Sequence, residues 1–316
     1  MMRYRQLGTS GLTVSVVGLG CNNFGRRIDL ERTRAVVDAA LEVGITLLDT
    51  ADTYGNRGGS ETFLGEVLKG RRDQVVIATK FGSPMGGPEA EARGSRRYIR
   101  RAIEASLRRL QTDHVDLYQQ HTPDPLTPLE ETIAALDELV TEGKARYAGS
   151  SNFAAWRIAD ADWIARTERR SRMISAQNHY SLLAREVEAE LVPACLQHGI
   201  GVLPYFPLAN GLLSGKYLRG EPVPEGTRLS GRSDLLTDAA FDKLEALEKF
   251  AAERGRTLLE VGIGGLAAQP AVASVIAGAT RAEQVRANAA AGNWEPTADD
   301  LAALDGIVPR GSSVWR

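Results

Sequence analysis

Three side chains able to move protons or hold charge fall within six residues of one another: Asp49, Asp52 and Tyr54 in the stretch Leu47–Gly55, LLDTADTYG. The run before them, Gly44-Ile45-Thr46-Leu47-Leu48, is apolar, partly β-branched and led by glycine, which reads as a short buried strand. A core strand ordinarily ends in a bland turn. This one delivers two acids and a phenol to the place where it opens into a loop. One explanation is a solvated turn whose aspartates cap the following helix. The other is chemistry.

Two further residues bear on that choice. Lys80 closes the apolar run Val75–Lys80, and His121 closes Val115–His121. An isolated tyrosine has a pKa of about 10 and is a poor proton donor or acceptor at neutral pH. A lysine ammonium beside it stabilises the phenolate and lowers that value. Such a buried lysine needs an anion to hold it charged, and Asp49 can fill that role. A histidine can hydrogen-bond to a substrate oxygen and orient it. The set suits protonation of a carbonyl oxygen while hydride reaches its carbon. No side chain gives hydride, so a nicotinamide cofactor is implied. Each residue alone has a plainer explanation: Lys80 as a surface lysine, His121 as a satisfied histidine at a loop start. Convergence on one mouth is what would distinguish the two.

The elements that must bring them together recur along the chain as a short apolar run, a polar or glycine-rich loop, and an amphipathic helical stretch. Strands are predicted at Val16–Leu19, Thr46–Asp49, Val75–Lys80, Val115–His121, Tyr147–Ser151, Ile174–Asn178, Gly201–Tyr205 and Val272–Ile276. Helices are predicted near 30–43, 60–69, 95–110, 128–142, 154–167, 187–198, 257–269 and 281–291. Eight such couplets suggest a parallel (β/α)8 barrel of the TIM type, an α/β fold whose active site lies where the strands' C-terminal ends feed their loops. A doubly wound open sheet is the alternative. Residues 3–15 read as a β-hairpin before the barrel, and 239–254 and 298–308 as extra C-terminal helices. Residues 207–238, rich in Gly, Pro and Ser, form an insertion long enough to serve as a lid or pocket wall.

The 316 residues are read as one domain, 43% hydrophobic and 25% charged, as in an ordinary globular protein. The 38 basic and 40 acidic side chains leave a net charge of −2, which argues against nucleic acid or an anionic membrane as partner. The opening MMRYRQLGTSGL lacks a signal peptide's apolar core, and no 18-residue apolar run exists. Cys21 and Cys195 lie far apart with no CxxC or zinc spacing, so no metal site is expected and reduced thiols in a cytoplasm are. Near the end, Val308-Pro309-Arg310-Gly311-Ser312 resembles a cleavage-tag remnant but is followed by Ser313–Arg316, and is taken as native. Gly262–Ala267 fits GxGxxA, the dinucleotide fingerprint of an open sheet, yet no strand precedes it and it lies inside a helical pattern, so it is read as coincidence. Trp156, Trp163 and Phe250 sit at helical spacing and are read as packing residues. Phe24, Phe81 and Trp315 are open between packing and lining a substrate pocket, whose shape would come from loops at 22–30, 82–94, 122–127 and 207–238 plus the tail.

LLDTADTYG, VVIATKFG, VDLYQQH, YAGSSNF, AQNHYSLL, PYFPLANGLLSGKY and VIAGATRAEQVRAN resemble, in this order, segments of the aldo-keto reductase family, from the hairpin to about residue 308. The SSNF, PLANGLL and GATRAEQVRAN variants are similar to a bacterial branch related to potassium-channel β-subunits and broad aldehyde reductases. The resemblance implies an NADPH-dependent barrel reducing aldehydes or ketones, with Tyr54 as general acid, Lys80 tuning it, Asp49 anchoring Lys80 and His121 orienting the carbonyl. It makes Asp52 a capping or loop residue. It implies that Ser151, Asn152 and Gln177 hold the nicotinamide carboxamide and that Tyr205 stacks on the ring. Leu208, Gly211 and Ser214 to Lys216 fall in the segment covering the pyrophosphate, where backbone N–H groups and a lysine suit phosphate. Gly278, Ala279, Thr280, Gln284 and Asn288 match the adenosine end, at a helix N-terminus. Many members carry a lysine and an arginine at the positions of Gly278 and Gln284. Here only Arg281 is an evident substitute, so NADP(H) is expected and NAD(H) is possible.

Two other functions fit parts of this pattern. A hydrolase on the same barrel would use Asp49 and Asp52 as paired carboxylates, although a glycosidase pair usually comes from different strand ends. A nucleotide-binding regulatory subunit would keep the barrel and the four residues. The tetrad, with no N-terminal extension and no membrane feature, favours the enzyme acting on a small-molecule carbonyl substrate.

Overall fold

The computed structural model describes residues 1–86, 91–230 and 232–315. Residues 87–90 of the expected pocket loop 82–94, Gly231 of the 207–238 insertion and Arg316 of the tail lie outside the described residues. The chain opens with a hairpin of β1 (Tyr4–Gln6) and β2 (Thr13–Ser15), paired antiparallel. Eight parallel strands follow: β3 (Val17–Gly20), β4 (Leu47–Asp49), β5 (Val76–Phe81), β6 (Val115–Gln120), β7 (Ala145–Ser151), β8 (Met173–Gln177), β9 (Gly201–Val202) and β10 (Val275–Gly278). They hydrogen-bond in the order β10-β3-β4-β5-β6-β7-β8-β9. The remaining gap is closed by Val202 N donating to Ala271 O (2.7 Å) and Ala273 N to Val202 O (3.0 Å). The sheet therefore runs full circle, and the open doubly wound alternative is excluded.

The outer ring consists of α1 (Leu30–Glu42), α2 (Tyr54–Val67), α3 (Arg96–Leu110), α4 (Leu129–Thr141), α5 (Ala155–Thr167), α6 (Leu191–His198), α8 (Leu258–Ala267) and α9 (Ala282–Ala291). Two additional helices, α7 (Asp238–Glu253) and α10 (Ala298–Ile307), occupy the expected C-terminal positions. Some starts are set by short polar side chains: the hydroxyl of Ser95 accepts from Tyr98 N, and Thr257 with Glu260 forms a reciprocal cap. No helix among the described residues is long and apolar enough to cross a membrane.

Two apolar layers follow from the strands' two-residue period. Residues facing outward, such as Val17, Leu19, Leu48 and Ile77, pack against the helices in the larger core. Those facing inward, Leu47, Ala78, Leu117, Leu203, Ala273 and Ile276, form the barrel's own filling together with Leu7 and Val14 of the hairpin. The hairpin thus stoppers the end where the strands begin. Its turn lies against the α6–β9 connection, with Thr9 N donating to Gly199 O at 2.8 Å. Gly8, at φ +62, comes so close there that a Cβ would sit 2.2 Å from Gly199 O, which explains the glycine.

Several boundaries differ from the sequence reading: the strand expected over Gly201–Tyr205 is only Gly201–Val202, and the helix expected from 187 begins at Leu191. The last strand pairs with β3 over Val275–Gly278 rather than starting at Val272, because Val272 instead bridges to Val202 to close the ring. The helix expected from residue 60 begins at Tyr54, but Gly55 to Gly58 all have positive φ and only the remainder is regular. The GxGxxA stretch lies within α8, as its helical pattern indicated. Its Gly264 lets that helix meet Trp294, where a Cβ would be 2.8 Å from the indole.

Candidate active site

Continuing the inward-facing rows by one step produces the site. Leu47 is followed two residues later by Asp49, Ala78 by Lys80 and Leu117 by Gln119, so each apolar interior residue has a polar one above it. Asp49 lies beside Ala78 in register, and Lys80 rises next to it. Lys80 is wholly buried, and its Nζ donates to Asp49 Oδ2 (2.8 Å) and to the Thr50 carbonyl (2.8 Å). Asp49 Oδ1 accepts from Gln177 Nε2 at 2.8 Å. A buried ammonium and carboxylate are tolerable only when so matched, because desolvation costs each several kcal/mol.

Tyr54 stands above this pair, its hydroxyl 3.4 Å from Lys80 Nζ. Its loop is held by Gly55, at φ +67, where any Cβ would lie 2.4 Å from the Phe24 carbonyl. Asn56 and Arg57 share that left-handed conformation without glycine's freedom, a local cost of roughly 1–2 kcal/mol each. Burial raises the Tyr54 hydroxyl's pKa; Lys80 opposes this and Asp49 adds to it. The net direction is upward, opposite to the lowering expected from Lys80 alone. Burial likewise works against the Lys80 ammonium, but Asp49 and Tyr54 outweigh it and its pKa is raised.

His121 meets the Tyr54 ring edge-on, with centroids 5.7 Å apart. Burial and then the Lys80 charge depress its pKa to about 3, so the imidazole is neutral at physiological pH and has one donor and one acceptor to offer. Asn152, in the left-handed region at φ 60, donates from Nδ2 to the His121 carbonyl (2.9 Å) and to Ser151 Oγ (3.1 Å). Its Oδ1 accepts from the Tyr205 hydroxyl at 2.8 Å. The Tyr205 ring stacks on His179, and His179 in turn on Trp315.

Asp49, Tyr54 and His121 open onto a cavity of about 1090 Å³, and Lys80 lies beneath it. Ser151, Asn152, Gln177, Tyr205, Leu208, Gly211, Ser214, Lys216, Gly278, Ala279, Thr280, Arg281, Gln284 and Asn288 all line the same cavity. The donor set fits a dinucleotide. At one end the Ser151 hydroxyl proton and the Gln177 side-chain oxygen Oε1 have no partner among the described residues. At the other, Lys216 and Arg281 form no ion pair there, and Arg281 sits at the N-terminus of α9, where a helix favours anions. Gln284 is partly committed, its Oε1 accepting from Thr280 N (2.8 Å) and Oγ1 (3.1 Å).

Asp52 is a loop residue, as the resemblance implied, but neither a helix cap nor half of a carboxylate pair. It is buried, caps no helix and does not line the cavity. Its Oδ1 has no partner among the described residues. Burial, reinforced by the Glu61 charge, pushes its carboxyl up to about 8. Asp49 and Asp52 therefore make no carboxylate pair facing a substrate, which removes the structural basis for the hydrolase. Phe24 and Phe81 are fully buried, Phe81 stacked on Tyr118, so both are packing residues. Trp315 lies outside the cavity wall and donates from its indole to the Leu235 carbonyl at 3.1 Å. Phe250 is buried as expected, but Trp156 and Trp163 are 65% and 69% exposed and so are not core packing residues. Among the described residues neither 82–94 nor 122–127 reaches the cavity, whereas Asn22, Asn23, Arg27 and Ile28 of the 22–30 loop do. The 207–238 insertion walls it from Pro207 to Arg228, Arg228 reaching Asn22 Oδ1 at 3.3 Å. Arg27 and Arg228 were missed by the sequence reading. Only their charge marked them, and two distant loops had to meet before it had meaning.

The family model for the "Aldo/keto reductase family" matches residues 16–309. The chain is 38% identical over 318 residues to the "Uncharacterized oxidoreductase YrpG" of Bacillus subtilis, covering 98% of this chain and 96% of that one. It is 36% identical over 301 residues to a "Probable voltage-gated potassium channel subunit beta" of Arabidopsis thaliana, covering 91% and 90%. It is 34% identical over 330 residues to the "L-glyceraldehyde 3-phosphate reductase" of Escherichia coli, covering 100% and 95%.

Proposed function

The chain belongs to the aldo/keto reductase family and is an oxidoreductase, and from that premise we propose that it reduces aldehydes or ketones to alcohols with NADPH, Tyr54 being the proton donor. The observation that carries this reading is the Lys80 ammonium, buried and held by Asp49 while lying 3.4 Å from the Tyr54 hydroxyl. A phenol kept protonated by burial can donate to a carbonyl oxygen, and the adjacent ammonium stabilises the phenolate left behind. Neutral His121 orients that oxygen by a hydrogen bond. Bound reduced nicotinamide supplies the hydride.

The cofactor would be held by Ser151, Asn152 and Gln177 at its carboxamide and by Tyr205 against its ring. Leu208, Gly211, Ser214 and Lys216 would meet its pyrophosphate, and Gly278, Ala279, Thr280, Gln284 and Asn288 its adenosine. Arg281 would provide charge for a 2′-phosphate, so NADPH is preferred and NADH is bound less tightly. The two cysteines are free and buried, in keeping with a reducing cytoplasm.

A panel of aldehydes and ketones, glyceraldehyde 3-phosphate included because one relative is named for it, tests this with NADPH and NADH assayed separately. Turnover should depend on NADPH, and Tyr54→Phe should reduce it roughly 10²–10⁴-fold with NADPH binding nearly intact. Activity within about tenfold of wild type would remove Tyr54 from the role. The channel-subunit relative favours a second reading, a regulatory protein of the same fold. Tight NADPH binding with no turnover across the panel would support that instead.

A further inference from the structure

We propose that the outer face of α5 is a self-association surface, on which a second copy of this chain docks through Trp156 and Trp163. The inference is independent of the reaction. These two indoles are 65% and 69% exposed, while Ile158, Ala161, Ile164 and Ala165 turn the opposite side of α5 into the core. They are seven residues apart, two turns of helix, and so project from one face. Aromatic residues of this size are enriched at interfaces and uncommon in pairs on free surfaces.

The charges between and beside them indicate what covers this face. Asp160 lies on the exposed side between the two indoles and forms no ion pair among the described residues. Arg157 stacks over Phe153 and Trp156, with its guanidinium 5.0 Å and 5.9 Å from the ring centroids, and its Nε has no partner there. An unpaired acid and an unpaired base on one face are complementary to themselves once a two-fold axis reverses the helix. With two α5 helices antiparallel and Ala159 near the crossing, Trp156 of one copy meets Trp163 of the other. Arg157 then comes within reach of Asp160 of the second copy. Leu196, 51% exposed on α6, extends the apolar side, since His198 and Asp162 tie the end of α6 to α5 at 2.8 Å. A stable interface covers about 800 Å² per partner, so the flanking helices α4 and α6 share the contact.

Light scattering coupled to size exclusion, followed by sedimentation across a concentration series, tests the proposal. The wild-type chain should be dimeric, or a multiple of dimers, at micromolar concentration. Trp156→Glu and Trp163→Glu should each weaken association at least about thirtyfold, the scale of losing a central interface tryptophan. Melting temperature and circular dichroism should be unchanged, because neither indole supports the fold. Arg157→Glu and Asp160→Arg should each weaken association, and the two together should restore it. That rescue distinguishes a specific two-fold contact from general stickiness. A wild-type monomer at 100 µM would overturn the proposal, as would a dimer indifferent to both tryptophan variants. Binding of the monomer to phospholipid vesicles through these tryptophans would overturn it too, by assigning the face to a membrane.

Discussion

The floor and the rim of the cavity are built on opposite terms. At the floor, Lys80 is wholly buried and bonded to Asp49, Gln177 holds the other Asp49 oxygen, and the Tyr54 hydroxyl lies 3.4 Å above the ammonium, every one of these contacts made within the chain. At the rim, Lys216 and Arg281 hold their charges in solvent and form no ion pair among the described residues. The floor is finished before anything binds, which is how a site keeps reorganisation out of the reaction step. The rim is incomplete, and its complement is an anion. Loss of a floor residue should therefore damage both folding and turnover, while loss of a rim residue should touch binding alone.

The largest effect is expected from Lys80→Met. Removing the ammonium strands Asp49 as a buried charge, a loss of about 3–5 kcal/mol in denaturant titrations. It also withdraws the phenolate's stabilisation, so turnover should fall roughly 10²–10⁴-fold and any residual activity should shift its Tyr54-dependent limb to higher pH. An unchanged melting temperature and pH profile would show that the floor is no more demanding than the rim.

A smaller effect, confined to binding, is expected at the rim. Arg281→Ala should weaken NADPH about ten- to hundredfold, the 1.5–3 kcal/mol range of one charge-assisted contact, while NADH barely changes. Added salt should shrink the difference, because the side chain is exposed. Fluorescence titration with both cofactors measures it, and equal losses for the two would take Arg281 out of the site.

The last effect is on the pH dependence of stability alone; it concerns Asp52 and asks whether burial or pairing makes the floor. At neutral pH its carboxyl is largely protonated in the fold, with a value raised to about 8, whereas the unfolded chain ionises near 4. The folded protein therefore binds the extra proton between those values, and stability falls as pH rises from about 4 towards 8. Asp52→Asn removes this dependence. Near pH 5 it should melt close to wild type, and its relative stability should then improve by at most about 1.4 kcal/mol per pH unit up to pH 8. Parallel melting curves for the two proteins across that range would mean that Asp52 is charged and partnered after all.

Much of the floor was legible because a strand's period of two carries forward past its apolar end. Once Leu47 and Ala78 point inward, so do Asp49 and Lys80. Helical spacing is weaker information. It shows that Trp156 and Trp163 share a face of α5, but that helix is apolar on both sides, and the sequence does not say which side the barrel takes. The upward push on the Asp52 carboxyl was equally hidden, since besides burial it depends on Glu61 of α2, which adds to it, and on Arg109 of α3, which opposes it. Val272 is apolar and β-branched like a strand residue and does lie against the sheet, its neighbours Ala271 and Ala273 bonding to Val202. Only its partner, Val202 rather than a residue of β3, moved the boundary.

Closure of the ring also governs the order in which the protein can be made. The first strand of the barrel bonds to the last, with Val275 N donating to Val16 O at 2.9 Å. The hairpin ahead of it leans on residues equally remote in sequence, Arg5 reaching the Val272 carbonyl at 2.9 Å. A ribosome releases those opening residues long before their partners exist. Helices and neighbouring strands can assemble behind them as the chain emerges. The stopper and the seam must wait for nearly the whole length of translation, so a nascent chain carries an unpaired edge of β3 until its final couplet appears.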